Sequence, residues 1–196
     1  NYKTEKKTVT EIFSGTSYNY FKTLAAGRDL VIVSDTNLFE LYPDAFSNEK
    51  YILIEPGEDH KTLQTVETVI TQLISFKADR KTLIVGFGGG MVCDIAGFVA
   101  NVYMRGTSFG FVATTLLAQI DAALGGKNGV NFDNFKNYIG TISQPEFVIC
   151  DPEMFKTLKD EDYLSGVGEV LKYSFICEKN LSDYAISNVD GILTRN

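Results

Sequence analysis

Short, unbroken apolar runs recur along the chain, and between them apolar residues fall at three- and four-residue spacing. The runs are Leu30 to Val33, Tyr51 to Ile54, Leu83 to Val85, Phe109 to Ala113 and Phe147 to Cys150. Each suits a strand buried on both faces. Val9 to Phe13 alternates weakly and reads as an edge strand. Helical segments are predicted over Tyr18 to Ala26, ending at Gly27, and over Leu38 to Phe46, where Pro43 weakens the pattern. A further helix is expected from Thr62 to Phe76, with Leu63, Val66, Val69, Ile70 and Leu73 on one face. Another begins at Asp94, with its stripe on Ile95, Phe98, Val99, Val102 and Tyr103, and breaks at Arg105-Gly106. Thr114-Thr115 caps a helix carrying Leu116, Leu117, Ile120 and Asp121. Gly125 to Gly129 forms a second glycine-rich turn. After Asp151-Pro152 the pattern is helical only. Strands alternating with helices predict an α/β fold whose parallel sheet is covered on both faces. The switch at Pro152 predicts two units, 1–151 and the opening of a helical domain at 152–196.

Four glycines (Gly86, Gly88, Gly89 and Gly90) stand within five positions between the Leu83–Val85 run and the Asp94 helix. Strand, glycines and helix N-terminus in that order can hold a phosphate, because free backbone N–H groups and the helix dipole both favour an anion. The same glycines also serve a chain that only has to reverse tightly, and the spacing leaves both readings open. The G-x-G-x-x-G fingerprint is not met, since its third glycine falls on Met91.

The composition is ordinary for a globular chain of 196 residues: 44% hydrophobic, 22% charged. A net charge of −7, with no basic run longer than Lys6-Lys7, argues against non-specific nucleic-acid binding. No apolar stretch approaches a membrane span, and the first residues hold no signal-peptide core. Cys93, Cys150 and Cys177 match no zinc or redox spacing, so free thiols in a reducing cytoplasm are expected. One histidine, His60, excludes a two-histidine mechanism within these residues.

Parallel sheets gather ligands at the carboxyl ends of their strands. The residues at those ends are Ser34-Asp35, Glu55 to Glu58, Gly86 to Gly90, Thr114-Thr115 and Asp151. Asp35 suits a ribose hydroxyl pair or the N-cap of the next helix. Gln119-Ile120-Asp121 precedes the Gly125-Gly126-Lys127 turn, and Lys136-Asn137 follows it. Glu169, Lys172 and Tyr173 share one helical face, where a solvated Glu/Lys ion pair is one reading. In its glycine-rich, apolar surroundings a carboxylate such as Glu169 wants a cation or a metal.

GFGGGMVCDIAGFVANVYMRG, TTLLAQIDAALGGKNGVN, KNYIG, QPEFVICDPEMFKTL and GVGEVLKYS, in this order, make the chain resemble the 3-dehydroquinate synthase family. The likeness spans about Val31 to Tyr173, and its GGG-x-x-x-D and D-x-x-x-G-G-K-x-G-x-N elements belong to the sugar-phosphate cyclases. It implies a Rossmann-like NAD-binding α/β domain followed by a helical domain, with the active site between them.

The resemblance implies roles for individual residues. Asp35 and Asn37 match positions that hold the adenosine ribose, and Glu58 and Lys61 a pair near the cofactor. Gly88, Gly89, Gly90 and Asp94 match the pyrophosphate turn and the acid beside it. Thr114, Thr115, Thr157 and Leu158 complete the cofactor envelope, and Lys136 stands at another position on that side. Asp121, Lys127, Asn137 and Lys172 match substrate-binding positions, Lys127 also bordering the cofactor. Arg105 matches an arginine that reaches the substrate phosphate of the neighbouring subunit, which implies a homodimer. Glu169 matches a carboxylate ligand of a catalytic zinc or cobalt. The implied reaction turns a seven-carbon heptulosonate phosphate, a phosphorylated sugar acid, into 3-dehydroquinate and phosphate in the shikimate pathway. NAD takes and returns a hydride, so the net change is that of a lyase.

The family runs to on the order of 350 residues, and its two histidine metal ligands lie past the last residue here. Only Glu169 of the three is present, so this chain alone is expected to bind zinc poorly and not to turn over; His60 is expected to be an exposed loop residue. Phe132 and Phe135 stand where the family often has His and Gly, Gly168 replaces a common alanine, and Cys93 a frequent glycine. Alternatives are a sister cyclase making a cyclitol, a glycerol-dehydrogenase-like alcohol dehydrogenase that would release NADH, and a nucleotide-binding module without catalysis.

Overall fold

A computed structural model describes residues 9–176 and 179–195. Cys177 lies outside them. The strands are β1 (Glu11–Ser14), β2 (Leu30–Asp35), β3 (Lys50–Ile54), β4 (Leu83–Gly88), β5 (Ser108–Ala113), β6 (Lys127–Phe132), β7 (Phe135–Ile142) and β8 (Phe147–Cys150). The helices are α1 (Phe21–Leu24), α2 (Thr36–Leu41), α3 (Pro43–Phe46), α4 (Leu63–Ser75), α5 (Gly90–Val102), α6 (Asp160–Ile176), α7 (Lys179–Ser187) and α8 (Val189–Thr194). Six strands pair in parallel in the order β1-β8-β5-β4-β2-β3, and β6 and β7 form a separate antiparallel hairpin. The α/β reading therefore holds, and Glu11–Ser14 is the edge strand expected near Val9 to Phe13.

Burial on both faces explains why the strands read as unbroken apolar runs. Successive side chains point to opposite faces, so Val31 and Val33 of β2 join one core while Leu30 and Ile32 join the other. The first core takes Val66, Val69 and Leu73 of α4 and Ile95 and Val99 of α5. The second is aromatic: Phe87 sits edge-on to Tyr18, Phe21, Tyr42 and Phe46 with ring centroids 5.5–6.2 Å apart, each pair adding about 0.5–1.5 kcal/mol beyond its buried area.

Several boundaries differ from the sequence reading. The helix expected from Asp94 starts four residues earlier, at Gly90, because Val92 and Cys93 already face the core. Gly86 and Gly88 belong to β4 rather than to the turn. A Cβ on Gly86 would lie 2.9 Å from that of Ala96, and one on Gly88 2.5 Å from that of Val92, so these glycines let α5 lie against the sheet. Only Gly89 and Gly90 make the turn. The helix over Leu38 to Phe46 is two short pieces broken at Tyr42, with Pro43 opening the second. After Thr115, whose hydroxyl accepts the Ala118 N–H, the chain makes a brief helical turn that widens into a π-turn at Ala118–Ala122. The β6–β7 hairpin was not expected from the sequence. Its strands hold Gly129, Gly140 and many polar residues, and only the two residues Asp133-Asn134 between them signal a hairpin.

Candidate functional site

In a parallel sheet a crevice opens where neighbouring strands send their connections in opposite directions. Here β2 leads outward to β3, while β4 returns on its other side and leads on to β5. A cleft of about 740 Å³ opens at the carboxyl ends of β2 and β4. Asp35 and Asn37 line one wall, Gly89 and Gly90 the floor, and Thr114, Thr115, Thr157 and Leu158 the other side. Both readings of Asp35 are realised together. Its Oδ1 accepts the Leu38 N–H at 3.0 Å as the N-cap of α2, and the same carboxylate faces the cleft. Burial pushes its pKa up, against the lowering effect of the Leu38 and Asn37 N–H groups. At the floor, α5 presents the unpaired N–H groups of its first turn, with no side chain on Gly89 or Gly90 in the way. Gly88 does not line the cleft; its carbonyl accepts the Thr114 N–H at 3.0 Å and holds the two strand ends together.

A second cleft, of about 510 Å³, is lined by Asp94, Asp121, Lys127 and Asn137. It lies between α5, the π-turn and the hairpin. Lys61 stands behind it, only 4% exposed. Its ammonium is 2.5 Å from Asp94 Oδ2, donates to Asn137 Oδ1 at 2.6 Å and is 3.8 Å from Glu58 Oε1. Burial raises the Asp94 pKa even with this cation against it. Across the cleft, Asp121 accepts hydrogen bonds from Lys127 Nζ at 3.3 Å and from the Tyr173 hydroxyl at 2.8 Å, which ties α6 to the π-turn. The Tyr173 pKa is raised, chiefly by that bond. Lys172 pairs with Glu169, lies 4.7 Å over the Tyr173 ring, and has its pKa raised by the Glu169 carboxylate.

The remaining sequence candidates lie elsewhere. Lys136 is exposed on a groove shared with Glu58 and Asn131, outside both clefts. Arg105 is exposed beyond the C-terminal end of α5, the end opposite the clefts. His60 is an exposed turn residue, as expected. Among the described residues no group of three His, Cys, Asp or Glu could hold a metal ion, and Glu169 is engaged by Lys172. Among the described residues Glu169 therefore stands without the two further protein ligands that a catalytic zinc needs. Among the described residues no helix is long and apolar enough to cross a membrane. Two contributors escaped the sequence reading: Tyr173 as the partner of Asp121, and Asn131, the last residue of the D-x-x-x-G-G-K-x-G-x-N element. Their partners lie 52 and 73 residues away along the chain, beyond the reach of local periodicity.

A parallel sheet with a long cleft at its strand-order reversal, floored by a helix N-terminus and walled by a strand-end aspartate, is the architecture of the dinucleotide-binding α/β class. Residues 51–165 match the family described as 3-dehydroquinate synthase N-terminal. The chain belongs to the 3-dehydroquinate synthase family. It is 49% identical over 148 residues to the 3-dehydroquinate synthase of Pyrococcus abyssi, a match covering 74% of this chain and 43% of that protein. The chain thus spans less than half the length of this relative. Among solved structures, it superposes on the 2-epi-5-epi-valiolone synthase of Streptomyces hygroscopicus subsp. jinggangensis, which has NAD+ and Zn2+ bound. The TM-score is 0.87 at 26% identity, over 96% of this chain and 56% of that one. It also resembles a 2-deoxy-scyllo-inosose synthase complexed with carbaglucose-6-phosphate, NAD+ and Co2+, with a TM-score of 0.75 at 27% identity over 85% of this chain and 49% of that one.

Proposed function

We propose that this chain is the cofactor-binding part of a 3-dehydroquinate synthase, a phosphate-eliminating lyase that cyclises a seven-carbon heptulosonate phosphate. The observation that carries the reading is the adjacency of the two clefts. The long one fits a dinucleotide, and the shorter, polar one borders it through Asp94, one turn along α5 from Gly90. In the long cleft Asp35 accepts hydrogen bonds from the adenosine ribose, and the first turn of α5 receives the pyrophosphate. NAD, when bound, supplies a hydride acceptor that returns to its starting state. In the shorter cleft Lys127 offers a cation and Asn137 an amide to the substrate's carboxylate and phosphate, with Lys172 close by on α6. Asp94 and Lys61 share a buried contact that fixes the boundary between cofactor and substrate.

Family membership supports Glu169 as one ligand of a metal whose other ligands lie outside these residues, and no step is assigned to that metal. It also supports a homodimer in which Arg105, remote from its own clefts, serves the partner's substrate. Residues 1–151 then form the NAD domain and 152–196 open the helical one. The buried free thiols of Cys93 and Cys150 fit a reducing cytoplasm.

Phosphate release from the heptulosonate phosphate, measured on the longest natural chain containing this sequence, tests the reading. Release that needs both NAD+ and zinc or cobalt, without NADH accumulating, is expected. NADH accumulation would instead indicate an alcohol dehydrogenase. NAD+ binding without phosphate release would move the assignment to a sister cyclase.

A further inference from the structure

The β6–β7 hairpin breaks its own register beside the shorter cleft. Val130 pairs with Ile139 and Phe132 with Phe135. Asn131 alone therefore faces Lys136, Asn137 and Tyr138, a bulge of two extra residues in β7. Bulges re-aim side chains and leave ladder groups unpaired. At its centre Asn137 has a φ of +54°, a left-handed conformation that asparagine tolerates better than most residues with a Cβ and that the surrounding bonds must still select.

Asn131 is the residue that enforces it. Its side-chain Oδ1 accepts the Asn137 N–H at 2.8 Å, taking the place of the missing rung. Its Nδ2 donates to Glu58 Oε1 at 3.0 Å, and its backbone N–H donates to the Lys61 carbonyl at 2.8 Å. One bond thus closes the bulge within the hairpin, and two pin it to the Glu58–Lys61 turn. The left-handed turn at residue 137 directs the Asn137 carboxamide inward, where Oδ1 meets the Lys61 ammonium at 2.6 Å. Lysine only donates, so the oxygen is fixed on Lys61 and the amide N–H groups are left for the cleft.

We infer that Asn131 is a positioning residue for the substrate side of the site: it clamps Asn137 in its left-handed conformation and locks the hairpin to the turn that carries Lys61. This rests on the proposed role of Asn137 in holding substrate. Asn131 touches neither proposed ligand and acts through its neighbours. Its two side-chain bonds have opposite sense, one accepting and one donating, which allows them to be separated.

The test uses the longest natural chain containing this sequence, uniformly labelled with 15N. In the unaltered protein the Asn137 amide is expected to exchange slowly. In Asn131→Ala it is expected to exchange at least about tenfold faster, as fits loss of one net hydrogen bond, with the Val130 and Ile139 amides still protected. Asn131→Asp keeps the acceptor for Asn137 but sets a carboxylate against Glu58, and Glu58→Gln added to it restores a donor there. At saturating NAD+, KM for the heptulosonate phosphate is expected to rise about tenfold in Asn131→Ala and Asn131→Asp, and in the Asn131→Asp, Glu58→Gln pair to return to that of Glu58→Gln alone. The NAD+ affinity of Asn131→Ala should stay within about twofold of the unaltered protein. Unchanged Asn137 exchange in Asn131→Ala would overturn the clamp whatever the reaction. Faster exchange with unchanged KM would overturn its role in substrate positioning. If the unaltered protein releases no phosphate, the proposed function fails, and the exchange result still decides the clamp.

Discussion

Two buried charges set the balance between stability and function at the residue scale. The pKa of Asp35 is raised above its ordinary value of 3.8 by burial in the cleft wall. A carboxyl that binds its proton more tightly folded than unfolded costs stability once ionised. The cost is absent below the unfolded value, grows as pH rises through the folded value, and is complete at neutral pH. Asparagine caps a helix as well as aspartate. Asp35→Asn is therefore expected to be at least as stable as the unaltered protein at pH 7 in urea titrations, with any advantage vanishing below pH 3.8. Its NAD+ affinity, measured by calorimetry, should fall about ten- to a hundredfold through loss of charge-assisted bonds to the ribose.

Lys61 presents the opposite case. Replacing it with methionine leaves the largely buried Asp94 carboxylate without its cation and the Asn137 side-chain oxygen without its donor. Breaking a buried pair in this way typically costs about 3–5 kcal/mol. Because Asp94 then binds its proton still more tightly, the loss in Lys61→Met should be largest at pH 7 and shrink as pH falls. Urea midpoints for the variant and the unaltered protein across that range measure it, and a pH-independent loss would rule out Asp94 as the cause.

At the scale of elements, α6 carries two glycines with opposite duties. A Cβ on Gly166 would lie 2.6 Å from that of Leu116 and 2.9 Å from the Leu117 nitrogen, so this glycine lets the helix meet the start of the π-turn. A Cβ on Gly168 would meet nothing within 4 Å. Gly168→Ala is expected to stabilise by about 0.5–1 kcal/mol, the ordinary gain in a helix interior. Gly166→Ala should destabilise by about 1–3 kcal/mol, since backbone as well as side chain must shift. It should also separate Tyr173 from Asp121, seen as a downward shift of the raised tyrosine pKa in ultraviolet titration. Both glycines look alike in the sequence, one on each side of Val167, and only the neighbouring element tells them apart. The hairpin teaches the same lesson: Lys127 and Asn137 stand on the strands of one antiparallel pair, although they read as parts of two loops.

For the whole molecule, the two implied cofactors should behave differently with this chain. NAD+ finds a formed cleft, and a ligand at one hundred times its dissociation constant stabilises the fold by about 2.7 kcal/mol. Thermal denaturation is expected to shift upward with NAD+ in that proportion. Zinc finds no set of three ligands among the described residues and should give neither a saturable shift nor tight one-to-one binding in calorimetry. Tight binding of one zinc ion would overturn this view of the donor set.

The sequence by itself determined the α/β class, the five principal parallel strands, the long α4 helix and the acidic residue at the end of β2. These follow from burial on both sheet faces and from the 3.6-residue helical period, both of which are written locally in residue type. It also carried the family, because the glycine- and lysine-bearing motifs are contiguous. Only the tertiary structure decided that Gly86 and Gly88 are packing glycines of a strand, that the π-turn and hairpin flank the shorter cleft, and that Lys61 is a buried hub joining Asp94 to Asn137. Those contacts join residues 33 and 76 positions apart, and Asn131 reaches Glu58 over 73. No local periodicity encodes which distant polar group will meet another. That is set by the strand order and by the close approach of α5 to the sheet and hairpin.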